Sequence, residues 1–158
     1  MNKIVGISDM KMSDSEGDTI ITHSLGSCVG VTLYDPEAGI GGMIHCMLPL
    51  SRVSPDKAKA KPYMFVDRAV PAFLQEMYDR GARKDNLVVK VAGGAAVLDR
   101  KDLFKIGKRN YTVLRKILWK NNILIDAEDV GGSKSRTMAL YMDTGKTTIK
   151  SKGVEVEL

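Results

Sequence analysis

Leu25-Gly26-Ser27-Cys28-Val29-Gly30-Val31-Thr32-Leu33-Tyr34, then Asp35-Pro36-Glu37-Ala38-Gly39, then Ile40-Gly41-Gly42-Met43-Ile44-His45-Cys46-Met47-Leu48 read as strand, turn and strand. Val, Ile, Thr and Tyr fill the arms, and such side chains suit a half-buried pleated surface. Asp, Pro and Gly between them are turn formers, each by its own backbone chemistry. Pro49 closes the second arm. The arms therefore form an antiparallel hairpin. If the loop closes between Asp35 and Ala38 with two central residues, Cys28 stands opposite His45. Directly opposed residues share a sheet face, with Cβ atoms about 4.5–5.5 Å apart. A slip of one residue pairs Cys28 with Cys46 instead and turns the other face. Either register brings a thiol near an imidazole.

Working outward, residues 2–8 read as a short strand, 11–17 as a polar turn and 18–25 as a second strand. Residues 51–61 are a polar loop containing Lys and Pro. From Pro62 the period changes: Val66, Ala69, Val70, Phe73, Leu74, Met77 and Tyr78 recur at helical spacing and make one apolar stripe. Gly81 is placed to end that helix. Pro71 inside it lacks an N–H, which predicts a kink or a late start. Leu87 to Val91 is a buried-type strand running into Gly93-Gly94. Residues 110–121 form a second helix with Val113, Leu114, Ile117 and Leu118 inward. Ile123-Leu124-Ile125 reads as a short strand leading to Glu128-Asp129-Val130-Gly131-Gly132. Thr137 to Met142 and Thr147 to Lys150 form a hairpin around Asp143-Thr144-Gly145-Lys146. This order of strands and helices predicts an α/β or α+β layered fold.

The 158 residues fit one domain, 1–158, and 44% apolar content suffices for a core without metals or disulfide staples. No apolar run approaches the roughly 18 residues of a membrane span, and no signal-peptide pattern opens the chain, so the expected compartment is the cytoplasm. The net charge of +5 suits an acidic partner surface. It would also suit nucleic acid, but no binding motif accompanies it. Two cysteines, in that compartment, are read as free thiols. Cys28, Cys46, His23 and His45 lack zinc-ligand spacing, so no structural metal is expected.

Cys28 and His45 are the residues that could do chemistry. A thiol of ordinary pKa, about 8.5, is mostly protonated at neutral pH. An imidazole within reach can take that proton, leaving a nucleophile, and later protonate a departing amine or ammonia. The backbone N–H of Cys28 is a natural oxyanion donor, with Ser27 as a second. Gly30, Gly41 and Gly42 are expected to leave room for a substrate side chain. Cys46, of opposite parity to His45, reads as core filler, and His23 as a surface residue. Gly93-Gly94 reads as a bend or close backbone approach rather than an anion cradle, since the phosphate-loop lysine pattern is missing.

Leu25-Gly26-Ser27-Cys28-Val29-Gly30-Val31 followed by His45 resembles the chemoreceptor glutamine deamidases called CheD. The resemblance continues in Lys90-Val91-Ala92-Gly93-Gly94-Ala95, in Ile106-Gly107-Lys108-Arg109-Asn110 and in Ala127-Glu128-Asp129-Val130-Gly131-Gly132. It implies a layered α/β sandwich like that of bacterial deamidating toxins. It puts the catalytic cysteine and histidine on Cys28 and His45, and the third residue of a triad, six positions before the cysteine, on Thr22. It implies, without any cofactor, hydrolysis of glutamines on chemoreceptor cytoplasmic helices, sometimes of glutamate methyl esters too, and a CheC-type phosphatase as partner. His23-Ser24 departs from the relatives, where that stretch is often apolar or Leu-Gly, which bears on substrate preference. Lys134 and Arg136, after Gly131-Gly132, are the expected docking charges for acidic receptor helices. The rival reading is a non-catalytic adaptor that binds receptors or the phosphatase.

Overall fold

The computed structural model describes residues 1–96 and 104–158. Its strands are β1 (Asn2–Val5), β2 (Asp9–Ser13), β3 (Thr19–Leu25), β4 (Val29–Asp35), β5 (Ile40–Cys46), β6 (Val88–Gly93), β7 (Ala127–Val130), β8 (Arg136–Tyr141), β9 (Lys146–Ser151) and β10 (Val154–Glu157). Its helices are α1 (Pro55–Ala60), α2 (Val66–Asp79) and α3 (Ile106–Lys120), with short 3-10 turns between. One sheet runs β1-β3-β8-β9-β10 and the other β2-β5-β4-β6-β7. Among these strands β1·β3 and β6·β7 pair in parallel, and the other pairs are antiparallel.

Period-two alternation on the central hairpin builds three layers. Val29, Val31 and Leu33 of β4 and Ile44 and Cys46 of β5 point to one face. There they pack with Val66, Ala69, Val70, Phe73 and Met77 of α2 and Leu114 and Leu118 of α3. The other face meets the second sheet through Met43, Ala92, Ile20, Leu25, Met138 and Leu140, with half-buried Cys28 at its margin. This is an α/β sandwich of two sheets with helices on one side, as the layered-fold expectation had it. No helix among the described residues is long and apolar enough to cross a membrane.

Helix α2 forms on the predicted stripe, with Tyr78 half-buried at its end. Gly81 terminates it at φ +105°: its N–H donates to Tyr78 O (3.0 Å), and that of Ala82 to Met77 O (3.0 Å). Pro71 does not delay the start, because the burial of Val66, Ala69 and Val70 outweighs the one donor it removes. Helix α3 begins four residues before its expected start, at Ile106.

Several local expectations are corrected. Residues 11–17 are not all turn, since β2 runs to Ser13 along β5 despite its polar composition. The polar loop 51–61 contains α1. Ile123-Leu124-Ile125 is not a strand. Ile123 is buried under α3 while Leu124 is 81% exposed, and pairing with β6 starts only at Ala127.

The central turn also differs. It has four residues between Asp35 and Ile40, because the Asp35 carboxylate accepts the N–H groups of Glu37 (2.9 Å) and Ala38 (3.0 Å) and Gly39 closes the turn at φ +68°. His45 therefore opposes Gly30, not Cys28. Cys28 stands one step beyond the last pair, Val29↔Cys46, on the diagonal from His45. Moving a register by an even number of places keeps the face, so thiol and imidazole still lie on the same side of the sheet.

Candidate active site

Three strands converge on His45. It sits on β5 with its side chain toward the second sheet, 1% exposed. Thr22 reaches it from β3, so one hydrogen bond, Thr22 Oγ1 to His45 Nδ1 at 2.7 Å, bridges the two sheets. Thr22 Oγ1 also donates to Val5 O on β1 at 2.7 Å. A hydroxyl has one hydrogen. With that hydrogen on Val5 O, Oγ1 accepts from Nδ1–H. The neutral imidazole then carries its proton on Nδ1 and presents a bare lone pair at Nε2.

A bulge in β3 follows Thr22. Its pairing with β8 shifts between Thr22 and Leu25, with Ser24 at φ +58°. Inward parity passes from Ile20 and Thr22 to Leu25, and the chain enters the Gly26-Ser27-Cys28 bend. His23 and Ser24, the residues that depart from the resembling family, are exposed at the bulge.

The bend is gripped from outside by its carbonyls. Ala95 N–H donates to Gly26 O (2.9 Å), Asn110 Nδ2 to Ser27 O (2.9 Å) and Gly94 N–H to Cys28 O (2.9 Å). Gly93 lies so close that a Cβ there would sit 2.2 Å from Cys28 O. A Cβ at Gly107, in the first turn of α3, would likewise clash, at 2.6 Å from Ala95 O and from Gly94. Gly93-Gly94 is thus a close backbone approach. Gly30, Gly41 and Gly42, expected to make room for a substrate side chain, instead make room for the core. A Cβ at Gly30 would meet Leu25 and Met138, at Gly41 Met142 and Leu140, and at Gly42 Phe73 and Met12, all core side chains.

Burial sets the charges. Desolvation lowers the His45 pKa to about 4, so the ring is neutral at physiological pH. Burial also raises the Cys28 thiol, opposed by the residue's own backbone N–H. The resting pair is therefore thiol and imidazole, not an ion pair. Cys46, fully buried on the opposite face, is pushed up much further by desolvation.

Arg136 is corrected as a docking charge. It is 2% exposed, donating to Gly131 O (2.9 Å) and Gly93 O (3.4 Å) and pairing with Asp129 (3.2 Å). It braces the glycine clasp. Lys134, half-exposed and 3.2 Å from Asp129, is the charge left at that surface. Ser27 is exposed beside Cys28. A cleft of about 700 Å³ between α3 and residues 123–128 touches none of Thr22, Cys28 or His45.

Four buried polar side-chain atoms among the described residues lack a hydrogen-bond partner: Ser8 Oγ, His45 Nε2, Asn110 Oδ1 and Arg136 Nε. All belong to residues of this site, since the Ser8 N–H also donates to His45 O at 2.8 Å. Buried polar atoms are almost always paired, and exceptions concentrate where chemistry is done. Asn110 was not singled out as a site residue from sequence. Its signal was an amide on the inward stripe it shares with Leu114 and Leu118.

Buried neutral His45 ties stability to pH. Its folded pKa, about 4, lies below the unfolded value of 6.5, so the unfolded chain takes the proton first as pH falls. The stabilisation is complete above about pH 6.5 and is lost by about pH 4, a change of roughly 3 kcal/mol. Burial pushes the Asp35 carboxyl up, but the amides of Ala38, Arg83 and Glu37 with Asn86 hold it below the usual range, so its loss comes at lower pH. Urea midpoints between pH 7 and 4.5 should fall in the wild type and stay nearly flat in His45→Gln. Parallel curves would contradict the buried neutral imidazole.

The family model described as CheD chemotactic sensory transduction matches residues 47–151. The chain is 47% identical over 150 residues to the probable chemoreceptor glutamine deamidase CheD 1 of Syntrophus aciditrophicus, covering 95% of this chain and 94% of that protein. It is 43% identical over 155 residues to the probable chemoreceptor glutamine deamidase CheD of Solibacter usitatus, covering 98% and 92%. The similarity to these relatives extends past the family-model match to nearly the whole chain, and the chain belongs to the CheD family.

Proposed function

We propose that this protein hydrolyses the side-chain amide of specific glutamines on the cytoplasmic helices of bacterial chemoreceptors, with Cys28 as nucleophile and His45 as base. The observation that carries this reading is the Thr22–His45 hydrogen bond, which leaves Nε2 bare on the sheet face that Cys28 shares. The relatives' names supply the substrate class.

His45 Nε2 takes the proton from the Cys28 thiol as Sγ attacks the carboxamide carbon. Because the resting pair is neutral, proton transfer accompanies attack. The Cys28 N–H, with that of Ser27, stabilises the tetrahedral oxyanion. The C–N bond breaks, His45 returns the proton to nitrogen, and ammonia leaves a thioester. Water, deprotonated by His45, splits the thioester to glutamate, and the thiol is restored. Each new carboxylate alters charge on a receptor helix bundle and so biases its signalling equilibrium. A CheC-type phosphatase would be a binding partner, and Lys134 would face acidic receptor surface.

Mass spectrometry of a receptor cytoplasmic fragment, with and without the protein, tests the reading. Conversion of defined glutamines to glutamate with matching ammonia is expected. Binding without conversion would leave the adaptor role instead.

Thr22→Val removes the Nδ1 acceptor at nearly constant volume. It should lower kcat about 10- to 100-fold, equivalent to about 1.4–2.7 kcal/mol, while Thr22→Ser stays near wild type. Equal rates for Val and wild type would remove Thr22 from the site. Iodoacetamide should label half-exposed Cys28 long before buried Cys46, with activity lost in step. Cys46→Ser should stay active and lose about 1–2 kcal/mol of stability. First labelling at Cys46, found by peptide mapping, would overturn the assignment of nucleophile.

A further inference from the structure

Beyond the last ladder pair, Val29↔Cys46, the segments carrying Cys28 and His45 separate. Met47 turns away, its N–H donating to Met64 O at 2.9 Å. At this parting stands Asn110, fully buried in the second turn of α3. Its Nδ2 donates to Ser27 O (2.9 Å) and to Met47 O (3.1 Å), using both hydrogens. Gly107, three residues earlier on the same helix face, allows the backbone contact with Gly94 and Ala95 that brings Asn110 within reach.

The peptide group explains what this grip does. Ser27 C=O and Cys28 N–H belong to one planar trans peptide, so they point in opposite directions. A donor that fixes the carbonyl also fixes the amide. We infer that Asn110 is the positioning residue for oxyanion stabilisation: by holding Ser27 O it aims the Cys28 N–H, while its second bond, to Met47 O, anchors the amide itself. Asn110 Oδ1 is itself left buried and unpartnered, an exception of the kind that calls for a functional reason. The inference rests on Cys28 being the nucleophile, and not on the identity of the amide substrate.

Two reactions of Cys28 separate the roles. Acylation by 4-nitrophenyl acetate passes through a tetrahedral oxyanion, attack of the thiol on the ester carbon expelling 4-nitrophenol. Alkylation by iodoacetamide displaces iodide from carbon and forms no oxyanion. Asn110→Ala, and Asn110→Leu, which fills the original volume, should each slow acylation about 10- to 100-fold, at or below the effect of deleting an oxyanion donor outright. Alkylation should change less than about 3-fold. Asp35→Asn, at the opposite end of the hairpin, is the control for destabilisation and should leave the ratio of the two rates unchanged. If acylation and alkylation fall together in both Asn110 variants, or if neither falls, the inference is wrong. Failure of wild-type Cys28 to be acylated would overturn it as well. Acylation without ammonia release from a receptor fragment would instead reject the glutamine substrate and leave Asn110's role standing.

Discussion

Cys28→Ala is expected to lose ammonia release from a receptor fragment by at least about 10³-fold, and His45→Gln to match it, because nucleophile and base act as one unit. Neither change should unfold the chain. Cys28 is half-buried at the margin of the inter-sheet core, and deleting one sulfur there leaves a small gap. Gln in place of His45 keeps most of the volume and a polar group toward Thr22, so the contact between the sheets survives. His45→Ala would be less informative, since it strips the inward partner from a buried hydroxyl. The two variants must also agree in binding. If Cys28→Ala holds the receptor fragment as tightly as wild type while releasing no ammonia, occupancy and hydrolysis are separated. Turnover within about 10-fold of wild type by either variant would reject the cysteine–histidine mechanism.

The second large effect comes from Gly93. It lies at φ +103°, where L side chains are strained, and a Cβ would sit 2.2 Å from Cys28 O, whose position Gly94 N–H also holds. Backbone strain of about 1–3 kcal/mol and overpacking of about 1–3 kcal/mol act together, so Gly93→Ala should lose roughly 2–6 kcal/mol of stability. The control is Gly81, at φ +105° but with nothing within 4 Å of its Cβ position. Gly81→Ala carries only the backbone strain and should keep full activity. The folded fraction of Gly93→Ala should turn over at least about 10-fold more slowly, because the Cys28 carbonyl must move. Equal stability losses at the two glycines, measured by denaturant unfolding, would show that the Cys28 contact relaxes without cost. Normal turnover by Gly93→Ala would show that the clasp does not position the nucleophile.

Much of the architecture follows from short-range pattern. The stripe from Val66 to Met77 makes α2 and chooses its buried face, since a 3.6-residue period has one solution. Alternation on β4 and β5 put Cys28 and His45 on one face and Cys46 on the other, and that survived an error in the turn because parity changes only with odd shifts. What pattern could not decide was the register itself. Asp35 lengthened the loop through contacts with Glu37, Ala38 and Arg83, the last far along the chain. Nor could it tell β2, too polar to read as a strand until β5 pairs with it, or the partners of Gly30, Gly41 and Gly42, whose missing side chains admit residues from distant elements.

The same division runs through the site. Sequence by itself determined which residues are the candidates for chemistry, because a thiol, an imidazole and a flanking bend are local and recognisable. Only the tertiary structure decided their state: Thr22 selects the imidazole tautomer from another sheet, burial holds ring and thiol neutral, and Arg136 turns inward to brace the clasp. Asn110 reaches Ser27 from 83 positions away. Desolvation and long-range hydrogen bonds depend on what the fold packs around a group, and no window of neighbouring residues contains that information.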